Sequence, residues 1–497
     1  MFPELSHYTR IALDTETDGF DRHGPSKPIG VSISTDKEDW YLRWGHPLGN
    51  NCTKEQFCDW AQDALRGKQV SLVNPSFDLH MLRKAGVDLE ALNCQPRGVQ
   101  YRCALLNETR RHYSLDIMGK DYLKRSKLPM YGKLIPTLSG DIVAPYAKQD
   151  SRLTYDLDTY FEPLIQQQGL DRVAKLEDDL IYSTLHMELQ GVYLDLPKLT
   201  CWHAECSALC TRLERELPVN VNSGKQLGQF FRNLGMDTFT MTPAGEPSFT
   251  EDALLDYRVM AKTKAVLLAI EDVLRLRQLK SIRDKYLGKY LEEANSDGLL
   301  RYNLHQCRTG DNGTVTGRYS SSEVNIQQVS HEDKQSEHTR DWIIRELFLP
   351  APGCHWCSAD ASQIEFRLFA HYAKAPLLIK AYNEDADTDF HAWVREQTGL
   401  NRSYAKAINF MMVYGGGKEK YAREMRVSMD QSEKFFYKYN KKFPEARRLM
   451  AKAMRLARSR GYVKTLLGRR RRFSTGDRLY SALNAVLQGS AADLMKL

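Results

Sequence analysis

The sequence predicts an α/β domain at the N-terminus, followed by a longer, mainly helical region interrupted by a few short strands. Three observations lead there. Over residues 1–165, short apolar strands alternate with helical segments, the pattern of a mixed sheet covered by helices. From about residue 196 the apolar spacing is mostly helical. At 497 residues the chain exceeds a single core and should form about three domains.

The elements follow in order. Ile11-Ala12-Leu13 and Ile29-Gly30-Val31-Ser32-Ile33 read as strands, Thr53–Leu65 as a helix, and Ser71-Leu72-Val73 as a further strand. Val173 to Gln190 has helical spacing and ends at Gly191, before Val192-Tyr193-Leu194-Asp195. Leu196 to about Asn295 is mostly helical, with a break near Thr242–Pro247. Residues 300–350 read as loops with short strands, and the chain is strongly helical again from Ser403. There is no internal repeat and no low-complexity linker.

Composition narrows the class. With 42% hydrophobic and 27% charged residues, the chain is an ordinary globular protein rather than a disordered or fibrous one. Met1-Phe2-Pro3-Glu4-Leu5-Ser6 lacks the basic and apolar regions of a signal peptide. No apolar run approaches the ~20 residues of a membrane span. The ten cysteines lack framework spacing, and Cys354-x-x-Cys357 has no second ligand pair, so reduced thiols in a cytosolic protein are expected. The net charge of +7 is unevenly spread. Between Lys441 and Arg478 there are fourteen Lys or Arg against Glu445 and Asp477. Such density, including Arg469 to Arg472, suits a surface that neutralises backbone phosphates, although most basic runs are solvated helix faces.

Two groups of carboxylates carry the chemistry. Asp14 and Glu16 sit at i and i+2 after a strand, so both side chains leave one sheet face. Asn74-Pro75-Ser76-Phe77-Asp78 follows a strand, and Tyr146 and Asp150 lie four apart on one helix face. Asp14, Glu16, Asp78 and Asp150 can hold two metal ions, with Tyr146 orienting the attacking water. The second group opens at Asp360, in Asp360-Ala361-Ser362-Gln363-Ile364-Glu365-Phe366-Arg367, after an expected strand. Some forty residues later Arg402, Lys406, Phe410 and Tyr414 recur every fourth residue on one helix face. Arg402 and Lys406 suit phosphates, and Phe410 and Tyr414 offer flat apolar surface to a sugar and base.

In their order and spacing, the first three motifs resemble the 3′–5′ proofreading exonuclease domain of DNA polymerases and its ribonuclease H-like relatives. The Asp360 motif and the helix behind it resemble family A DNA polymerases, the group of bacterial DNA polymerase I and several phage replicases. The resemblance runs from about residue 8 to the end. It implies a mixed-sheet exonuclease domain (1–165), a connection and start of the palm (166–195), a helical thumb (196–300), a palm (301–370) and helical fingers (371–497). It implies that Asp360 binds both catalytic metals, that Glu365 helps exclude a ribose hydroxyl, and that His391 joins Arg402, Lys406, Phe410 and Tyr414 around a deoxynucleoside triphosphate. Thr316–Ser321 with Arg318, then Asn325, Gln327, Arg469, Arg470, Arg471, Asn484 and Gln488 resemble segments that grip primer and template. Asn222-Ser223, Gln226-Leu227 and Ser281–Tyr286 resemble the thumb, and Arg345 stands before Leu347-Phe348-Leu349 as in the family. The implied cofactor is Mg²⁺, two per active site, with Mn²⁺ as a substitute. The implied partners are primer–template DNA, single-stranded 3′ ends and deoxynucleoside triphosphates, in a bacterial cytoplasm.

Three departures stand out: Met411-Met412 where small residues are common, no 5′ nuclease domain, and Tyr480 where bacterial enzymes carry arginine, which leans to the phage branch. The thumb carries no long insertion for a processivity partner. The family's later His-Asp-Glu segment, whose aspartate is the second polymerase metal ligand, has no counterpart after Asp360. Three explanations stand open: a split polymerase whose second chain completes the palm, a truncated chain, or a protein that kept only its nuclease. Two rival functions accompany them, a stand-alone 3′–5′ exonuclease with a DNA-gripping appendage and a non-catalytic DNA-binding subunit.

Overall fold

A computed structural model describes residues 2–130, 132–242, 244–307, 313–329, 339 and 341–497. The chain divides into two compact units. One comprises Met1–Met187, Leu304–Ser320 and Ser358–Leu497, the other Glu188–Asn303 and Ser321–Cys357.

The first unit begins with strands β1 (Arg10–Thr17), β2 (Pro28–Ser34) and β3 (Asp39–Arg43), helix α1 (Lys54–Ala64), strand β4 (Gln69–Leu72), helix α2 (Pro75–Ala85) and strand β5 (Gln95–Gly98). The five strands make a mixed sheet in the order β3-β2-β1-β4-β5. β1 is antiparallel to β2 and parallel to β4. The α/β expectation for the N-terminal region therefore holds. Every residue of β2 is buried, so the sheet is covered on both faces there. α1 starts where expected because Thr53 and Gln56 form a reciprocal capping box, worth about 1 kcal/mol. Gly30 is required by close approach rather than by φ: a Cβ there would meet the Tyr41 ring at 2.6 Å.

Helices α3 (Val99–Leu106) and α4 (Leu115–Met118) lead to α5 (Gly140–Gln168), a 29-residue helix. It packs across β1, β2 and β3. Ile29, Tyr41, Ile135, Val143 and Ala147 form the apolar layer between them. Gly169 at φ +63° closes α5 in the left-handed conformation that glycine tolerates best. α6 (Asp171–Gln190) fills the helical stretch expected up to Gly191.

The second unit contains β6 (Val192–Leu194), α7 (Leu196–Glu216), α8 (Gly224–Asn233), α9 (Glu251–Met260), α10 (Lys264–Ile282), α11 (Lys289–Glu293) and β7 (Leu299–Leu300). The expected break at Thr242–Pro247 is a turn closed by a bridge between Met241 and Pro247. Short strands β8 (Asn303–His305), β9 (Ser320–Ser322) and β10 (Phe348–Leu349) follow, and β10-β6-β7 form a small antiparallel sheet.

The rest of the first unit is helical: α12 (Ile364–Ala373), α13 (Pro376–Glu384), α14 (Phe390–Thr398), α15 (Arg402–Tyr414), α16 (Lys418–Glu424), α17 (Met429–Lys442), α18 (Pro444–Arg460) and α19 (Ala482–Lys496). They share one core that includes Phe366, Phe390, Ile408, Met412, Tyr421, Tyr439 and Leu483. A hairpin of β11 (Tyr462–Lys464) and β12 (Arg470–Arg472) interrupts them.

Two expectations are corrected. The segment before Asp360 is not a strand: residues 354–361 have no regular structure. No ladder partner faces it among the described residues, and a strand without hydrogen-bonding partners does not persist. Asp14 and Glu16 lie within β1 rather than after it, which leaves their shared direction unchanged.

Candidate functional site

Asp14 and Glu16 leave the same face of β1, whose register sets them against Ser32 and Gly30 of β2. The register shifts between Glu16 and Thr17, which pairs with Pro28. Asp78 lies in the first turn of α2, where the helix dipole favours a carboxylate. Its Oδ1 accepts from Thr15 Oγ1 at 2.7 Å and Thr15 N at 3.2 Å. α5 brings Tyr146 and Asp150 to the opposite wall. These side chains line a cleft of about 230 Å³, together with Phe20, Asn74, Phe77 and Lys127.

One carboxylate oxygen each from Asp14, Glu16 and Asp150 lie within 4.8 Å of one another. Glu16, Asp78 and Asp150 are all at most 5% exposed. Burial and the mutual repulsion of the acids raise Asp14 well above the usual carboxylate range. Burial, then Asp150, carries Glu16 up to about 8. Burial carries Asp78 up to about 7 against the two Thr15 hydrogen bonds. Asp150 is also raised by burial, against the neighbouring Lys127. Glu16 Oε1 and Asp150 Oδ1 have no hydrogen-bond partner. Buried carboxylate oxygens left bare are costly, and a pair of hard divalent cations with oxygen ligands would satisfy them. The donor set fits such cations.

A second cluster surrounds α15. Asn401 caps the helix by accepting from Tyr404 N at 2.8 Å. Arg402 donates to Asp389 at 2.6 Å, and Asp389 in turn caps α14 through the amides of His391 and Ala392. Lys406 is exposed one turn on. Phe410 stacks on Tyr414 with ring centres 5.6 Å apart, and the His391 ring stands 5.5 Å from Phe410. Asn409 bonds His391 Nδ1 at 2.9 Å, and burial lowers the imidazole pKa. Tyr414 donates to Glu365 at 2.9 Å, Arg318 pairs with the other Glu365 oxygen, and Gln488 lies beside Tyr414. The structure thus brings together Arg318, Glu365, His391, Arg402, Phe410, Tyr414 and Gln488, which lie far apart in sequence. Asn484, one turn from Gln488 on α19, keeps a buried oxygen without a partner. In the second unit Asn325 caps a short turn by accepting from Gln327 N, and both side chains are exposed.

Asp360 is exposed in its irregular segment and belongs to no metal-capable group among the described residues. The arginine run needs a firmer correction. Arg469 is 7% exposed and bonds Asp493 and Glu177 at 2.8 and 2.5 Å, so it cannot hold a DNA phosphate. Arg470 donates to Gln168 O and lies over the Tyr462 ring, and Arg471 and Arg472 pair with Glu108. The three arginines of β12 are half-buried, with Glu108 as the carboxylate that Arg471 and Arg472 share. The exposed basic surface lies on α17 and α18 instead, where Lys438, Lys441, Arg448, Lys452 and Arg455 are all exposed.

Sequence reasoning missed Lys127, Thr15 and the acids that meet the arginines. Thr15 carried a usable signal, since it sits between two ligand candidates. Lys127 carried none, being one of three basic residues in Lys124-Arg125-Ser126-Lys127.

A family model described as DNA polymerase family A matches residues 200–497. The chain belongs to DNA polymerase family A. This family A chain is 31% identical to DNA polymerase DpoZ of Salmonella phage PMBT28, over 100% of the chain and 87% of that protein. It is 25% identical to DNA polymerase I of Borreliella burgdorferi, over 98% of the chain and 55% of that protein. The polymerase domain of M. smegmatis Pol1, solved with primer–template DNA and a dNTP, superposes with a TM-score of 0.82. At 22% identity over 99% of this chain and 84% of that one, this is a likeness of fold.

Proposed function

We propose that this family A DNA polymerase carries a 3′–5′ proofreading exonuclease within residues 1–165, and that its nucleotide site is the face of α15 opposite Glu365. The cleft of four carboxylates, three of them buried and two with a bare oxygen, carries the nuclease reading. Asp14, Glu16, Asp78 and Asp150 would hold divalent cations, Mg²⁺ in the cell. These would activate a water and stabilise the leaving 3′ oxygen. Thr15 fixes Asp78. Tyr146, which lines the same cleft as Asp150, is placed to orient the attacking water. Phe20, 71% exposed, and Phe77 offer apolar surface to the terminal nucleotide at the cleft mouth.

At the polymerase site, Arg402 and Lys406 would meet the triphosphate, His391 would support it, and Phe410, Tyr414 and Glu365 would bound the sugar. The thumb is assigned to 196–300, the palm to 301–370 and the fingers to 371–497, with Asn325, Gln327, Asn484 and Gln488 on the DNA. Two-metal transfer needs at least two carboxylates. Asp360 has no carboxylate partner among the described residues, so synthesis is proposed to require a second carboxylate brought to Asp360.

The test pairs two assays on wild type and Asp14→Ala. Wild type should shorten a 3′-labelled single strand with Mg²⁺, and Asp14→Ala should lose at least a hundredfold of that rate. Undiminished degradation by Asp14→Ala would remove the nuclease reading. Primer extension by Asp14→Ala should be absent unless the second carboxylate is supplied, and extension by this chain alone would show that Asp360 is already adequately partnered.

A further inference from the structure

Among the described residues that line the nuclease cleft, Lys127 is the one cation facing four carboxylates. Its ammonium pairs with Asp150 and stands 4.8 Å from the centre of the Tyr146 ring. An ammonium has three donors, and Asp150 does not use them all. The side chain keeps 26% of its surface open, and the residue lines the cleft.

The loop that carries Lys127 is held on both sides. Lys124 turns the chain at φ +57°, the Lys127 amide donates to Asp116 Oδ1 at 3.0 Å, and the Leu128 amide donates to Gln149 Oε1. Gln149 returns a bond to Ser126 O at 3.2 Å. Gln149 is the neighbour of Asp150 on α5, so the strap ties this loop to the helix that carries Tyr146 and Asp150. A lysine needed only for solubility does not require such a frame.

We propose that Lys127 is a phosphate-holding residue of the nuclease site, shared between Asp150 and the substrate. This inference rests on the nuclease reading above. A phosphodiester is anionic, and a cleft of four carboxylates repels it. Lys127 is the chain's own counter-charge there. A divalent cation taken up by Asp150 competes with the ammonium for that carboxylate. The displaced ammonium, still stacked on Tyr146, then meets a non-bridging oxygen of the terminal phosphodiester as a point charge. No bond is made or broken by Lys127, and the water and leaving group are handled elsewhere.

The proposal separates two quantities that a merely structural lysine would move together. In calorimetric titration of the DNA-free 497-residue chain with Mn²⁺ alone, Lys127→Met should bind Mn²⁺ three- to tenfold more tightly, because the competitor of Asp150 is gone. In single-turnover degradation of a single-stranded oligonucleotide at saturating Mn²⁺, the same variant should be at least tenfold slower, with Lys127→Arg restoring most of the loss. Weaker Mn²⁺ binding together with slower hydrolysis would overturn the proposal and leave Lys127 as a scaffold for Asp150. Unchanged hydrolysis at saturating Mn²⁺ would overturn it too. Should wild type prove inactive on DNA, the nuclease reading fails, and with it the phosphate role. The Mn²⁺ titration would still show whether Lys127 and the ion compete.

Discussion

Glu365 is held by two partners of unequal worth, and the difference can be measured. Tyr414 donates to it from a half-buried position at 2.9 Å, whereas Arg318 reaches it with a side chain that is 46% exposed. A hydrogen bond to an ionised carboxylate contributes about 1.5–3 kcal/mol when shielded, and an exposed ion pair about 0–1. Tyr414→Phe should therefore lower stability by about 1–2 kcal/mol in urea unfolding, and Arg318→Ala by less. The reverse order would show that Glu365 is held mainly by its ion pair. The i+4 rhythm of Arg402, Lys406, Phe410 and Tyr414 was legible because one helix carries all four. The partnership of Tyr414 with Glu365 was not, since 49 residues separate them and only the packing of α12 on its neighbours brings them together. Lys127 was illegible for a related reason. Its place is set by a loop strapped to Asp116 and Gln149, and such loop geometry has no periodic trace.

Elements with the same composition can point in opposite directions. The stretch from Lys441 to Arg478 reads as one basic surface, yet it folds as an outward helix followed by a half-buried hairpin whose loop buries Arg469. α18 turns Ala446, Ala453 and Ala457 to the core and leaves Arg448, Lys452 and Arg455 exposed. β12 sends its arginines to Glu108 and Gln168, and Arg469 just before it meets Glu177, 292 residues earlier. Helical spacing decided the first case. Distant acids decided the second, and a charge count cannot see them. Replacing Arg448, Lys452 and Arg455 by alanine should leave the melting temperature nearly unchanged. It should weaken DNA binding, and the log–log salt dependence should become shallower by about 0.9 for each phosphate that is no longer neutralised. Arg469→Ala should do the opposite, costing about 3–5 kcal/mol of stability because Glu177 and Asp493 lose a buried partner. Equal DNA defects and equal stability from both changes would mean that the hairpin is not packed inward in solution. The strand expected before Asp360 belongs at this scale as well. Sequence pattern can propose a strand, but only a hydrogen-bonding neighbour keeps one.

At the scale of the first unit, three separated chain stretches are tied by one buried ionic cage. Glu177 accepts from Lys496 at 2.8 and 3.0 Å, from Arg469 at 2.5 Å and from Gln306 at 2.7 Å. Asp493 takes the other side of Arg469 and a hydrogen bond from Thr465. Two cations meet two carboxylates, so the cage is neutral, and every charge has a partner. Burial pushes the Glu177 carboxyl up, but Lys496 and Arg469 outweigh it and bring it from 4.5 down to about 2. A carboxyl depressed on folding contributes stability that is complete above its unfolded value and is lost as pH falls towards the folded one. The window is therefore about pH 4.5 to 2, and the shift corresponds to about 3 kcal/mol. Glu177→Gln removes the titration while keeping the shape. In calorimetric melts of the two proteins, the variant should be less stable by a constant amount above about pH 5, and the gap should narrow as pH falls below 4.5. A gap that stays constant down to about pH 3 would show that Glu177 is not held in its charged form by the cage. The cage would then be packing rather than electrostatics that joins residues 177, 306 and 469–496.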